Sequence, residues 1–89
     1  MTNAEIIRYL ENVKMYHVQE SHTSQGRAEK YANILLSIEK GLFQELLNPE
    51  KMTQEKAYGA WFSSIALANR EKSFAQEIDT IISEIKKHD

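Results

Sequence analysis

The chain has 89 residues, 42% of them hydrophobic and 27% charged, with three Gly, one Pro, no Cys and a formal net charge of −2. That length makes one small domain spanning residues 1–89, burying only about 60–65% of its unfolded surface. Missing cysteine excludes disulfides, thiolate catalysis and cysteine-ligated zinc. A slightly acidic balance leaves no basic footprint for nucleic acid, and so little turn chemistry argues against a many-stranded β fold.

The first predicted helix opens at Thr2-Asn3-Ala4-Glu5, where the Thr hydroxyl and Glu carboxylate form a capping box. Ile6, Leu10, Val13 and His17 follow at helical spacing, and Ser21-His22-Thr23-Ser24 reads as its polar end. A second helix begins near Gly26 with Ser24 as its cap. It carries Ala28, Tyr31, Leu35, Ile38, Leu42 and Leu46 on one stripe and ends at Asn48-Pro49. Thr53 caps a third, with Ala57, Tyr58, Trp61, Ile65 and Ala68 on one face; Phe62, Ala66 and Leu67 widen that face and make this the most central helix. Asn69-Arg70-Glu71-Lys72 reads as a charged connection. Ser73 and Gln76 then open a fourth helix, striped with Phe74, Ile78, Ile81, Ile82 and Ile85 and closed by Lys86 and Lys87.

Four amphipathic helices on short connections predict an all-α, antiparallel up-down-up-down four-helix bundle. A three-helix bundle with a loose first helix is the competing arrangement. Met1–Leu10 holds no apolar run of the kind a secretory signal needs, and no 18 apolar residues run together, so a cytoplasmic protein is expected.

Chemistry-bearing patterns are sparse. His17 and His22 lack the i, i+4 spacing of a metal pair, and His88 stands apart near the end. A phosphate-accepting His17 would lack the nearby Lys and Gly of histidine phosphotransfer bundles, so it reads as an amphipathic residue at a helix edge. Ser63 and Ser64 have no base at a telling spacing, the Glu residues are scattered and mostly within reach of a Lys or Arg, and no Gly-rich phosphate loop is present. Gly41 and Gly59, inside predicted helices, suggest close helix approach beside Phe43 and Trp61. Tyr31, Tyr58, Trp61, Phe62 and Phe74 read as core, with any exposed member an interface anchor. No catalytic, cofactor or metal residue is expected, and action by binding another protein remains.

From Tyr31 onward the chain resembles the immunity proteins against pediocin-like (class IIa) bacteriocins. The resemblance rests on Tyr31-Ala32-Asn33-Ile34-Leu35-Leu36-Ser37-Ile38-Glu39-Lys40-Gly41-Leu42, on Ser64-Ile65-Ala66-Leu67-Ala68, and on Phe74 followed by Ile78, Ile82 and Ile85, with Pro49 in the connection. It implies a cytoplasmic, non-enzymatic four-helix bundle near the inner membrane face. Its partner would be the bacteriocin-engaged receptor, the membrane components of the mannose phosphotransferase system. It also implies that the carboxy-terminal half recognises that partner. The corresponding residues here are Asn69, Arg70, Glu71 and Lys72 in the third connection and Lys86, Lys87 and His88 at the end of the last helix. A different class, a small helical adaptor or regulator that oligomerises or caps another protein, predicts an exposed apolar patch and self-association.

Overall fold

The computed structural model describes residues 1–88. Three helices follow in order: α1 (Asn3–Lys40), α2 (Gln44–Leu47) and α3 (Gln54–Lys87). The described residues contain no strand, so the chain is all-α. The long helices α1 and α3 lie side by side as an antiparallel hairpin 59 Å long and 15 Å across. That length is what 38 residues give at 1.5 Å per residue, about 57 Å.

The single chain is therefore a hairpin and not four separate helices. The first two predicted helices are one, as are the last two. Ser21-His22-Thr23-Ser24 and Asn69-Arg70-Glu71-Lys72 continue the helices instead of ending them. The reason lies in what these residues face. Ser21 and Ser24 are buried against α3, and the Ser21 hydroxyl donates to the Ala68 carbonyl at 3.1 Å. Small side chains let the two backbones approach, so serines that resemble caps fill the interface. Glu71 is likewise turned inward.

The expected caps hold at both long-helix starts. Thr2 Oγ1 accepts from the Glu5 amide at 3.2 Å, and Thr53 Oγ1 accepts from the Lys56 amide at 3.3 Å. Helix α1 stops at Gly41, seven residues before the expected Asn48-Pro49 end. Gly41 sits in the left-handed region at φ 67°, and the Leu42 amide reaches back to the Ser37 carbonyl at 3.2 Å, a Schellman-type close. After the short α2, buried Asn48 fastens the connection: its Oδ1 accepts from the Met52 amide at 2.8 Å and its Nδ2 donates to the Met52 carbonyl at 3.1 Å.

The buried positions are mostly small: Ala28, Ala57, Ala68, Ala75, Ser21, Ser24, Ser37 and Ser64, with Ile34 and Ile82 the buried branched aliphatics. On α3 they repeat every seven residues as Ala57, Ser64 and Glu71, with half-buried Ile78 and Ile85 continuing the row. Trp61, Ala68, Ala75 and Ile82 form the adjacent row. The expectation of an aromatic core is corrected accordingly. Tyr58, Phe62 and Phe74 are exposed, and Tyr31 and Trp61 are half-buried. In an interface narrow enough for alanine and serine, large rings are displaced outward.

The expected close approach at Gly41 and Gly59 is also absent, because a Cβ built on either meets nothing within 4 Å. Gly59 only weakens its helix, so Gly59→Ala should raise the unfolding free energy by about 0.5–1 kcal/mol in urea titration. Gly41→Ala should lower it by about 1 kcal/mol, because alanine resists the positive φ that ends α1.

Candidate interaction surface

The seven residues expected to recognise a partner do not come together. Asn69, Arg70, Glu71 and Lys72 lie mid-way along α3, and Lys86, Lys87 and His88 close it. Seventeen residues of continuous helix separate Arg70 from Lys87, about 25 Å. Asn69, Arg70 and Lys72 are exposed, whereas Glu71 is only 8% exposed and unable to meet a partner. At the helix end, Lys87 pairs with Glu84 at 3.4 Å and His88 stands 3.9 Å from the same residue, both on an exposed surface where such pairs contribute little.

Glu71 instead belongs to an internal polar pair. Its Oε2 meets Nδ1 of His17 across the hairpin, with the ring N–H donating because a carboxylate only accepts. Arg70 adds a distant second charge at 3.9 Å from Oε1. The His17 ring also packs against Phe74, centroids 5.4 Å apart, and meets the edge of Tyr16 at 5.3 Å. A histidine so enclosed beside a carboxylate is poorly placed to accept phosphate, since the two anions would repel. Among the described residues, no three His, Cys, Asp or Glu side chains gather in a way that could hold a metal ion.

What the hairpin does present is apolar surface, in two places. Toward the tip, Tyr58, Trp61, Phe62 and Ile65 follow i, i+3, i+4, i+7 spacing on one side of α3. Phe62 is 60% exposed, and the Tyr58 and Trp61 rings lie 5.6 Å apart. Trp61 and Ile65 line a groove with Ala28 and Ala32 of α1. At the tip itself Leu42, Phe43 and Leu46 are exposed, and Phe43 holds a left-handed backbone at φ 57°, which is uncommon for a bulky residue. Toward the termini, Tyr9 and Tyr16 on α1 and Phe74 and Ile81 on α3 are exposed.

The two patches face opposite ways. The groove holding Trp61 shares Gln25 with a second groove lined by Lys14, Val18, Lys72 and Asp79, so both open on one side. Lys14 and Asp79 pair across that side at 2.8 Å. Tyr16 and Phe74 are each two residues from a member of that groove, Val18 and Lys72. At 3.6 residues per turn this places them about 200° round their helices.

No family model, curated protein or solved structure gives a significant match to the chain. No helix among the described residues is long and apolar enough to cross a membrane.

Proposed function

We propose that this chain is a non-enzymatic binding protein that grips a partner protein through the aromatic cluster near its tip. The observation that carries this reading is the exposure of Tyr58 and Phe62 beside Trp61, on a helix whose buried positions are mostly small. Tyrosine and tryptophan are enriched among the few residues that dominate binding at protein interfaces, and they bury large rigid surfaces at low entropic cost. More than half of the Tyr58 and Phe62 surface is left open by the hairpin, apolar area that a partner would cover.

The resemblance favours one particular partner. Of the segments that carry the resemblance, Ser64–Ala68 overlaps this cluster at Ile65, and Tyr31–Leu42 includes Ala32 of the groove beside Trp61. In that form of the proposal the chain acts in the cytoplasm as a bacteriocin immunity protein, binding the membrane components of the mannose phosphotransferase system once a pediocin-like peptide has engaged them. Protection requires tighter binding to the engaged receptor than to the free one, since a ligand shifts a state only by its differential affinity.

The test expresses the chain in a strain sensitive to a panel of pediocin-like peptides. Survival should rise for at least one peptide and return to the unprotected level with Phe62→Glu and Tyr58→Glu, while Glu77→Ala on exposed α3 surface leaves protection intact. Full killing across the panel by abundant, folded protein removes the immunity form. The broader adaptor reading is then decided by a photo-crosslinking residue at Phe62. It should join the chain to a discrete second protein in cells, and uniformly empty crosslinks would count against it.

A further inference from the structure

We infer that the opposite, terminal face, formed by Tyr9, Tyr16, Phe74 and Ile81, is covered by a second copy of this chain in a closed two-fold dimer. The first argument is area. The isolated hairpin exposes 6804 Å², whereas a compact monomer of its 10.3 kDa exposes about 5,400 Å². The excess is about 1,400 Å² per chain. Stable complexes bury about 600–1,000 Å² per partner, and obligate ones about 1,000–2,500 Å². One hairpin thus carries about the surplus that one copy of itself would remove. Shape agrees, since the radius of gyration is 18.7 Å against about 12 Å for a compact domain of this length.

The second argument is the layout of the face. Tyr9 and Tyr16 stand seven residues apart on α1, and Phe74 and Ile81 seven apart on α3, so each helix contributes one stripe. His17 bridges the stripes, touching both Tyr16 and Phe74. A two-fold axis through such a face can lay the stripes of one copy on those of the other, each residue meeting its reciprocal partner. Pairing two hairpins this way yields a four-helix arrangement. It moves Phe74, 41% exposed, and Tyr9, 65% exposed, into an interior that a two-helix protein cannot provide. A net charge of −2 sets up little repulsion between copies.

The experiment uses the purified chain, followed by sedimentation equilibrium and by thermal unfolding over a roughly hundredfold concentration range. Wild type should have twice the chain mass, with a Tm that climbs with concentration. Phe74→Glu should weaken the dimer at least about thirtyfold, as loss of a central anchor does, while Phe62→Glu on the other side leaves it unchanged. Should Phe74→Glu fail to fold, Tyr9→Glu near the helix start gives the same reading at a position 65% exposed in the single hairpin. A monomeric wild type with a concentration-independent Tm overturns the inference. So does an open series of larger species, or a dimer broken by Phe62→Glu and insensitive to Phe74→Glu and Tyr9→Glu. A monomeric wild type leaves the tip cluster's foreign partner untouched, and a dimer broken by Phe62→Glu would put a second copy on that cluster instead; the survival and crosslinking measurements read the foreign partner separately.

Discussion

A proline placed at His22 or at Asn69 should lower the unfolding free energy by about 3 kcal/mol or more, the largest loss expected from any exposed position. Both residues are exposed, so no buried contact is lost and the backbone alone is probed. Proline at 22 removes an amide from the ladder of α1 and drives its ring toward the Val18 carbonyl; at 69 the same happens against Ile65. A domain of this size is stabilised by about 4–13 kcal/mol, so either change consumes much of the margin. The control is Gln54→Pro. Gln54 is the first residue of α3, where the missing amide is unpaired anyway, and Thr53 before it is already extended at φ −75° and ψ 159°. That variant should unfold within about 1 kcal/mol of wild type. Urea titration followed by circular dichroism reads all three. Wild-type stability with proline at 22 or 69 would mean that loops interrupt the helices there, and the continuous hairpin would be wrong.

Much of the fold was legible locally. The caps at Thr2 and Thr53, the apolar spacing along both helices and a reversal before Thr53 all follow from neighbouring residues. Continuity through Ser21–Ser24 and Asn69–Lys72 was not, because a serine that caps a helix and a serine that admits a second backbone have the same local signature. What separates them is Ala68, 47 residues from Ser21 and invisible to any short window. One signal did cross the supposed gap. Ala57, Ser64, Glu71, Ile78 and Ile85 keep a seven-residue period through Asn69–Lys72 without a phase slip, and Trp61, Ala68, Ala75 and Ile82 keep it beside them. A true loop would have broken both rows. Of the candidate site, the aromatic residues were visible, but their direction was not. Spacing places Tyr58, Phe62 and Phe74 on faces, and only the small residues opposite show that those faces point outward.

The other large effect is expected at the His17–Glu71 pair. Glu71 occupies a place in the inward row that its neighbours fill with alanine, serine or isoleucine, and its carboxylate is paired there with the His17 ring. Truncating it by Glu71→Ala leaves the Nδ1–H of a half-buried imidazole without its acceptor and a void beside it. The expected loss is about 1–3 kcal/mol for the unpaired donor, with the void adding to it. His17→Leu alone should cost a comparable amount, since the carboxylate then lies buried without its main partner and only the distant Arg70 near it. Replacing both, His17→Leu with Glu71→Leu, removes the two desolvated groups together and fills the space with side chains suited to the row. That double variant should be as stable as wild type or more stable by up to about 4 kcal/mol. The double-mutant cycle in urea therefore should show strong coupling, with the two single losses failing to add. Additive losses would mean that the two side chains act separately, and that Glu71 is tolerated in the interface for reasons unrelated to His17. A double variant that is more stable yet no longer self-associates would show what the pair is for. His17 touches the rings of both Tyr16 and Phe74, so a loss of self-association in that variant would tie the polar pair to the face those rings form.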